Sequence, residues 1–298
     1  MKVKIISKTE RTIKLLLSET NVSNVNSIRR SVMTDVPKMA ISKVRFEMGV
    51  RDPDSNGERF ESLSSLSDEV IAHRLALIPI PTYIEDFVFP EDDPANQGIP
   101  EDKWGSPASR IIYHCSVQGP GKNDEEEFRT VYAGDLNVLG DSKLQIPEHC
   151  REIPITVLSK GQYIEFYAYA CLGRGKDHAK WEAASGVGFY QNVKAVLTDK
   201  KAAKEIFKHK IKLNNDLELN EKLFPKDGVT DIETVEEIRK ALLHDENSGI
   251  VLEEIPGEFV FHYESDGSIP PIDIFNRACE ELKSRFDSIG EKLKIALT

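Results

Sequence analysis

Residues 173–181 read Gly-Arg-Gly-Lys-Asp-His-Ala-Lys-Trp, the densest gathering of chemistry-bearing side chains in the sequence. Two glycines let a backbone approach a ligand closely, and Arg174 and Lys176 supply positive charge, so a phosphate group is the natural guest. Asp177 beside His178 has the composition of an acid–base pair. The spacing argues against both uses. The run lacks a full GxGxxG and a GK[ST] ending, and sequence neighbours seldom aim at one point. Three uses stay open: a nucleotide-dependent enzyme, a loop docking onto another protein, and a loop packed within its own chain. Trp181 favours docking, because aromatic and arginine side chains dominate interface energetics.

Other groups carry weaker chemistry. His149, Cys150, Cys171 and His178 can be drawn as a metal site, but only the first two are adjacent and none has knuckle or helix spacing. The four cysteines, Cys115, Cys150, Cys171 and Cys279, form no CxxC pair and read as reduced thiols. His73 with Arg74 could serve as acid–base residues or as contacts at a helix edge. Arg29 and Arg30 could hold phosphate, though such a pair beside an apolar helix face more often makes ion pairs at a subunit boundary.

These groups must be positioned by the elements around them. Val3 and Ile5, then Ile13, Leu15 and Leu17, alternate across a polar turn and predict a β-hairpin. Val22, Val25, Ile28, Val32 and Val36 recur every three or four residues, a helical stripe with cap candidates from Thr20 to Ser23 and a stop at Pro37. Residues 40–50 alternate as a strand. Ser67 precedes a second helix that carries His73 and Arg74 and ends before Pro79. Residues 83–109, rich in Pro, Asp and Glu, read as an exposed insertion. Residues 111–118, 128–136, 155–161, 162–173 and 186–197 read as short strands, so the middle of the chain is mostly antiparallel β. Residues 199–255 turn charged, with short helices near 200–209 and 233–243. Residues 258–265 form one more strand.

The last helix organises the rest. From Pro271 to Ala296, apolar residues fall at Phe275, Ala278, Leu282, Phe286, Ile289 and Leu293, a narrow stripe with coiled-coil-like spacing. Glu280, Lys283, Arg285, Glu291 and Lys292 are expected on the wet face. A seam of this length needs a partner, either the same chain or another protein.

The 298 residues allow about two domains. The formal net charge of −11 repels the phosphate backbone over most of the surface while leaving room for a local basic patch. Charges interrupt the first residues too often for a signal peptide, and no apolar run approaches the roughly 20 residues that cross a bilayer. The expectation is a soluble, cytoplasmic protein with no membrane contact.

Four stretches in order, NSIRRSVMTDVPKMAI, DEVIAHRLALIPIP, LGRGKDHAKW and FHYESDGSIPPIDIFNRACEELKSRF, together closely resemble the D-type subunit of archaeal DNA-directed RNA polymerase. That family corresponds to the third-largest subunit of eukaryotic RNA polymerase II and to the bacterial alpha N-terminal domain. The resemblance implies an α+β fold whose dimerisation domain, an antiparallel sheet with two amphipathic helices, is built from both chain ends (1–44, 183–198 and 256–298). A β-rich domain (45–182) is inserted, and 199–255 stands where relatives carry an iron–sulfur module. With no cysteine there, a small cluster-free ferredoxin-like remnant is expected and no cofactor; the zinc loop of eukaryotic relatives is also missing from 83–109.

The resemblance further implies a non-catalytic assembly subunit of an archaeal polymerase. It would form a heterodimer with the L-type subunit through Val25, Asn26, Arg29, Val32, Phe275, Ala278, Leu282, Phe286, Ile289 and Leu293. Arg30, His73, Arg74, Arg174, Lys176, His178, Lys180 and Trp181 would face the second-largest catalytic subunit. Small subunits of the N and P types would complete the platform, and contact with DNA would be only indirect.

Overall fold

A computed structural model describes residues 1–51, 57–62, 65–209, 211–213, 217–242 and 248–297. The chain opens with strands β1 (Lys2–Lys8) and β2 (Thr12–Ser18), followed by helix α1 (Val22–Thr34) and strand β3 (Pro37–Phe46). The Asn21 side chain caps α1 by accepting from the Asn24 N–H at 2.9 Å, and Pro37 forbids continuation. Short strands β4 (Val50–Arg51) and β5 (Phe60–Glu61) precede helix α2 (Asp68–Ala76). Ser67 starts α2 without a side-chain cap. Asp68 and Glu69 in the first turn and His73 and Arg74 in the last complement the helix dipole instead.

Strands β6 (Ile111–Gln118), β7 (Phe128–Tyr132), β8 (Asn137–Val138), β9 (Pro154–Ser159), β10 (Tyr163–Arg174) and β11 (Ala184–Leu197) follow. The chain closes through α3 (Lys200–Lys208), α4 (Ile232–Ala241), β12 (Ile250–Ser265) and α5 (Pro271–Leu297). One sheet has the order β1-β2-β12-β11 and another the order β3-β10-β6-β8, with two-stranded pairs β4-β5 and β7-β9. β10 is antiparallel to both β3 and β6, with a bulge at Tyr169/Ala170. The architecture is α+β, as expected.

Two compact units separate: Met1–Ser7 with Lys14–Asn26 and Gly188–His262, and Lys8–Ile13 with Ser27–Val187 and Tyr263–Thr298. The first has its own apolar core, in which Ala203 and Ile206 of α3 and Val235 and Ile238 of α4 meet Ala195 and Ile250. Lys14 reaches Glu236 on α4 at 2.8 Å, and Tyr190 donates to the same carboxylate. The core of the second unit gathers Met39 and Ile41 of β3, Ile71 and Leu75 of α2, Tyr113 of β6 and Phe166 of β10.

Two expectations need correction. β12 begins eight residues before 258, because its acidic stretch is paired: Lys194 meets Glu253 at 3.1 Å and the Gln191 amide donates to the Ile255 carbonyl at 3.0 Å. Gly257, at φ +76°, supplies the irregularity that lets Pro256 sit inside this strand. Residues 83–109 are not simply exposed. Three single-turn helices (84–86, 94–96 and 101–103) surround buried Asp93, Asn96 and Ser109. The Ala95 N–H donates to the Asp93 carboxylate at 2.9 Å, and the neighbouring Ser109 hydroxyl together with this N–H holds the Asp93 pKa below the ordinary range. The Asn96 amide donates to the Pro90 carbonyl at 2.8 Å.

Candidate protein-docking surfaces

A locked corner launches α5. The Ser265 hydroxyl donates to the Ile269 carbonyl at 2.6 Å and accepts from the Gly267 N–H at 3.0 Å. The Asp266 carboxylate accepts from the Ser268 N–H at 2.9 Å and pairs with Lys38, whose ammonium also donates to the Glu182 carbonyl. Gly267 is at φ +97°, and a Cβ there would lie 2.2 Å from His149 Nε2, so only glycine fits. Tyr263 closes the corner by donating to the Pro271 carbonyl.

Beyond the corner, the first half of α5 is held by its own chain. Ile274, Phe275 and Ala278 are buried. The Ser31 hydroxyl donates to the Ala278 carbonyl at 2.9 Å, Arg174 pairs with Glu281 at 2.8 Å, and Arg285 pairs with the buried Asp35. Arg285 therefore turns back onto its own chain rather than standing on the wet face, where spacing alone puts it. Position 285 falls on the inner side of the helix, seven residues or about two turns past Ala278.

The second half of α5 is open. Leu282 is half-buried, and every side chain from Lys283 to Leu297 is exposed, apart from the half-buried position of Gly290. Phe286, Ile289 and Leu293 are 64%, 54% and 55% exposed. From Leu282 to Leu293 the apolar stripe thus runs on for about 16 Å beyond the buried part of the helix.

The expected pairing residues divide accordingly. Phe275 and Ala278 are 5% and 0% exposed, and Val25 and Val32 of α1 are equally buried. These four are core residues of the chain itself, so a partner could remove little further area from water at these positions. Asn26 and Arg29 are half-buried, with Arg29 reaching the Met33 sulfur at 3.3 Å, and Arg30 is exposed. Leu282, Phe286, Ile289 and Leu293 remain as the accessible part of the seam.

The 173–181 loop is a packed corner rather than a cradle. A Cβ on Gly173 would lie 2.2 Å from the Trp181 ring, and one on Gly175 would lie 2.1 Å from the Met33 carbonyl oxygen. The room that two glycines create is already filled by an indole and a helix end, so these glycines serve packing within the chain. The Trp181 Nε1–H donates to the Cys171 carbonyl at 3.1 Å. His178 caps the final turn by accepting from the Lys180 N–H at 3.0 Å through Nδ1, which ties that nitrogen to structure. Lys180 lies over the Trp181 ring at 4.2 Å, and burial pushes its pKa down. Arg174, expected to face a large subunit, binds the Asp35 carbonyl at 2.6 Å and Glu281, with Phe89 under its guanidinium. It positions the loop against α1 and α5, because all these acceptors lie inside the chain.

What the loop offers outward is a groove of about 580 Å³ lined by Phe89, Trp104, Arg110, Lys176 and Trp181 among others. Lys176 and His178 are exposed, as are His73 and Arg74 on α2, where Arg74 donates to the Ile155 carbonyl at 2.9 Å. Cys171 reaches the Ser42 hydroxyl and Cys150 is buried with a raised thiol pKa, so the paper metal site does not assemble. Among the described residues no group of three His, Cys, Asp or Glu side chains could hold a metal ion. Sequence reasoning missed Lys38 and Asp35, the buried charges that fix the corner and the helix. The one signal was a lysine and an aspartate flanking Val36-Pro37 at a helix–strand junction.

The sequence profile of the RNA polymerase Rpb3/Rpb11 dimerisation domain matches residues 14–286. The chain belongs to that family. The Rpb3/Rpb11 match runs from within β2 through the 173–181 loop and along α5 to Phe286. The chain is 32% identical to the DNA-directed RNA polymerase subunit Rpo3 of Picrophilus torridus over 297 residues, covering 97% of this chain and 98% of the relative. It is 32% identical over 305 residues to the Rpo3 subunit of Pyrococcus horikoshii, at 99% and 98% coverage. It is also 32% identical over 306 residues to that of Thermococcus kodakarensis, at 98% of each. Within the Rpb3/Rpb11 family the enzyme reading of the glycine-rich loop finds no support.

Proposed function

We propose that this chain is a non-catalytic assembly subunit of a multisubunit DNA-directed RNA polymerase, forming a heterodimer with a smaller subunit of the L type. The observation that carries the reading is the open half of α5. Residues 283–297 are solvent-exposed apart from Gly290, with Arg285 near the start of the segment tied back to Asp35, and an isolated helix of that length is marginal in water. Its stripe of Leu282, Phe286, Ile289 and Leu293 is a coiled-coil seam lacking its second helix. Closing it against a partner helix orders the segment and removes the largest exposed apolar side chains of α5 from solvent.

The second-largest catalytic subunit docks on the groove beside Trp181, with Arg30, His73, Arg74, Lys176, His178 and Lys180 as its contacts, and small subunits of the N and P types complete the platform. The pairing domain comprises residues 1–44, 183–198 and 256–298. The β-rich insert spans 45–182, and residues 199–255 form a small module that works without a cofactor. No helix among the described residues is long and apolar enough to cross a membrane, which accords with a cytoplasmic polymerase.

Co-expression with the L-type subunit tests the pairing. The wild-type chain is expected in a soluble 1:1 complex, and Leu282→Asp with Phe286→Asp is expected to abolish it. An unchanged complex from the double variant overturns the proposal.

A further inference from the structure

Helix α3 carries Lys200, Lys201, Lys204 and Lys208 against one acid, Glu205. At 100° per residue the four lysines occupy an arc about 100° wide. The opposite side is buried through Ala203 and Ile206. All four lysines are exposed. Lys200 meets Glu221 at 2.7 Å and Lys208 meets Glu205, but every partner in these pairs is more than half exposed. Exposed pairs of this kind are worth about 0–1 kcal/mol and exchange readily for a stronger anion. Lys200 and Lys201 sit in the first turn, just after the N-cap Asp199, whose carboxylate accepts from the Lys201 and Ala202 N–H groups at 2.7 and 3.3 Å. A compact basic face on a chain of net charge −11 is therefore a local feature with a local counterpart.

We propose that this face of α3 binds the phosphate backbone of nucleic acid, without sequence preference. The composition separates this from a protein partner. Lysine is depleted at protein–protein interfaces, where arginine and aromatics dominate, and this face carries neither. Lysine binds phosphate as a point charge, without the bidentate geometry that would read a particular group. The geometry fits as well. From Lys200 to Lys208 the helix rises about 12 Å, which along a duplex axis spans three to four nucleotides of one strand at a rise of about 3.4 Å each. The surrounding negative charge is screened beyond about 8–10 Å at physiological salt, so the face acts on what it touches. Contact with DNA would then be direct at this one place, against the expectation of a purely indirect one. The proposal does not depend on the pairing seam.

The test uses the full chain, paired with its L-type subunit where it forms that complex and alone where it does not. A fluorescent duplex of random sequence is titrated by anisotropy between 20 and 200 mM KCl. Binding should weaken with a log–log salt slope of about −3. K201A/K204A should reduce that slope by about 2 and weaken binding about ten-fold or more at 50 mM, with circular dichroism unchanged. K201R/K204R should restore binding, and K122A/K160A, outside this helix, should leave it as in the wild type. An unaltered slope in K201A/K204A overturns the proposal. So does a polyglutamate peptide that binds this face while the duplex does not, since that outcome assigns it to an acidic protein. Loss of duplex binding with intact pairing, or the reverse, tells the two proposals apart.

Discussion

Phe275 and Phe286 lie on one stripe of α5, about three turns apart, yet their environments are opposite: 5% exposed against 64%. The same substitution should therefore produce two different phenotypes. Phe275→Ala empties a packed site, and large-to-small changes of this kind cost about 3–5 kcal/mol of folding stability. Phe286→Ala removes a ring that is mostly in water, so the free chain should change by no more than about 0.5 kcal/mol. Its cost appears on pairing. Burying a phenylalanine is worth about 1.5–3 kcal/mol, and roughly two-thirds of that remains to be gained here, or about 1–2 kcal/mol. That corresponds to a Kd for the L-type subunit raised about 5- to 30-fold. Urea denaturation of the free chain and a calorimetric or anisotropy titration with the partner give the two quantities separately. A Phe286→Ala chain that pairs at wild-type affinity, or a Phe275→Ala chain of wild-type stability, would refute the division of α5 into a covered and an open half.

Three further predictions follow from the same geometry. Gly173→Ala places a methyl group against the indole and should displace Trp181, seen as a red-shifted tryptophan emission and weaker capture of the second-largest subunit; unchanged emission contradicts the packed-corner reading. Lys38→Met removes a buried ammonium from the partly exposed Asp266 carboxylate and should cost about 1–3 kcal/mol in urea denaturation, whereas an exposed lysine would cost almost nothing. Glu165 has its pKa lowered by hydrogen bonds from Arg51 at 2.8 Å and then His114. A carboxylate with a depressed folded pKa contributes stability that is complete above its unfolded value near 4.3 and fades as pH falls through the folded value. Glu165→Gln should accordingly flatten the acid limb of the stability curve below about pH 4.5 and leave its slope near neutrality alone; a parallel shift at all pH values rules this out.

Periodicity placed α1, α2, α5 and most strands, because each buries one face and so repeats with the spacing of its element. It could not say where α5 leaves its own chain. The 3-4 spacing continues unchanged through Leu282, and the boundary depends on how far the corner at Asp35, Arg174 and Ser31 reaches along the helix. Nor could spacing reveal that Lys38 is buried, since a lysine beside Pro37 and Met39 looks like a strand's solvent face until Asp266 is brought to it from the other end of the sequence. The glycines at 173 and 175 were legible as places of close approach. What approaches them, an indole and a carbonyl, is tertiary information. The early start of β12 was hidden because Glu253, Glu254 and Pro256 read as loop residues until Lys194 and Gln191 are opposite them.

Residue-resolved hydrogen exchange of α5, measured on the free chain and after adding the L-type subunit, tests the central claim most directly. Amides of 283–297 should exchange rapidly in the free chain and become strongly protected in the complex, while those around Ile274 to Ala278 should be protected in both. Slow exchange of 283–297 in the free chain, or no added protection in the partner's presence, would contradict a seam completed by a second polypeptide.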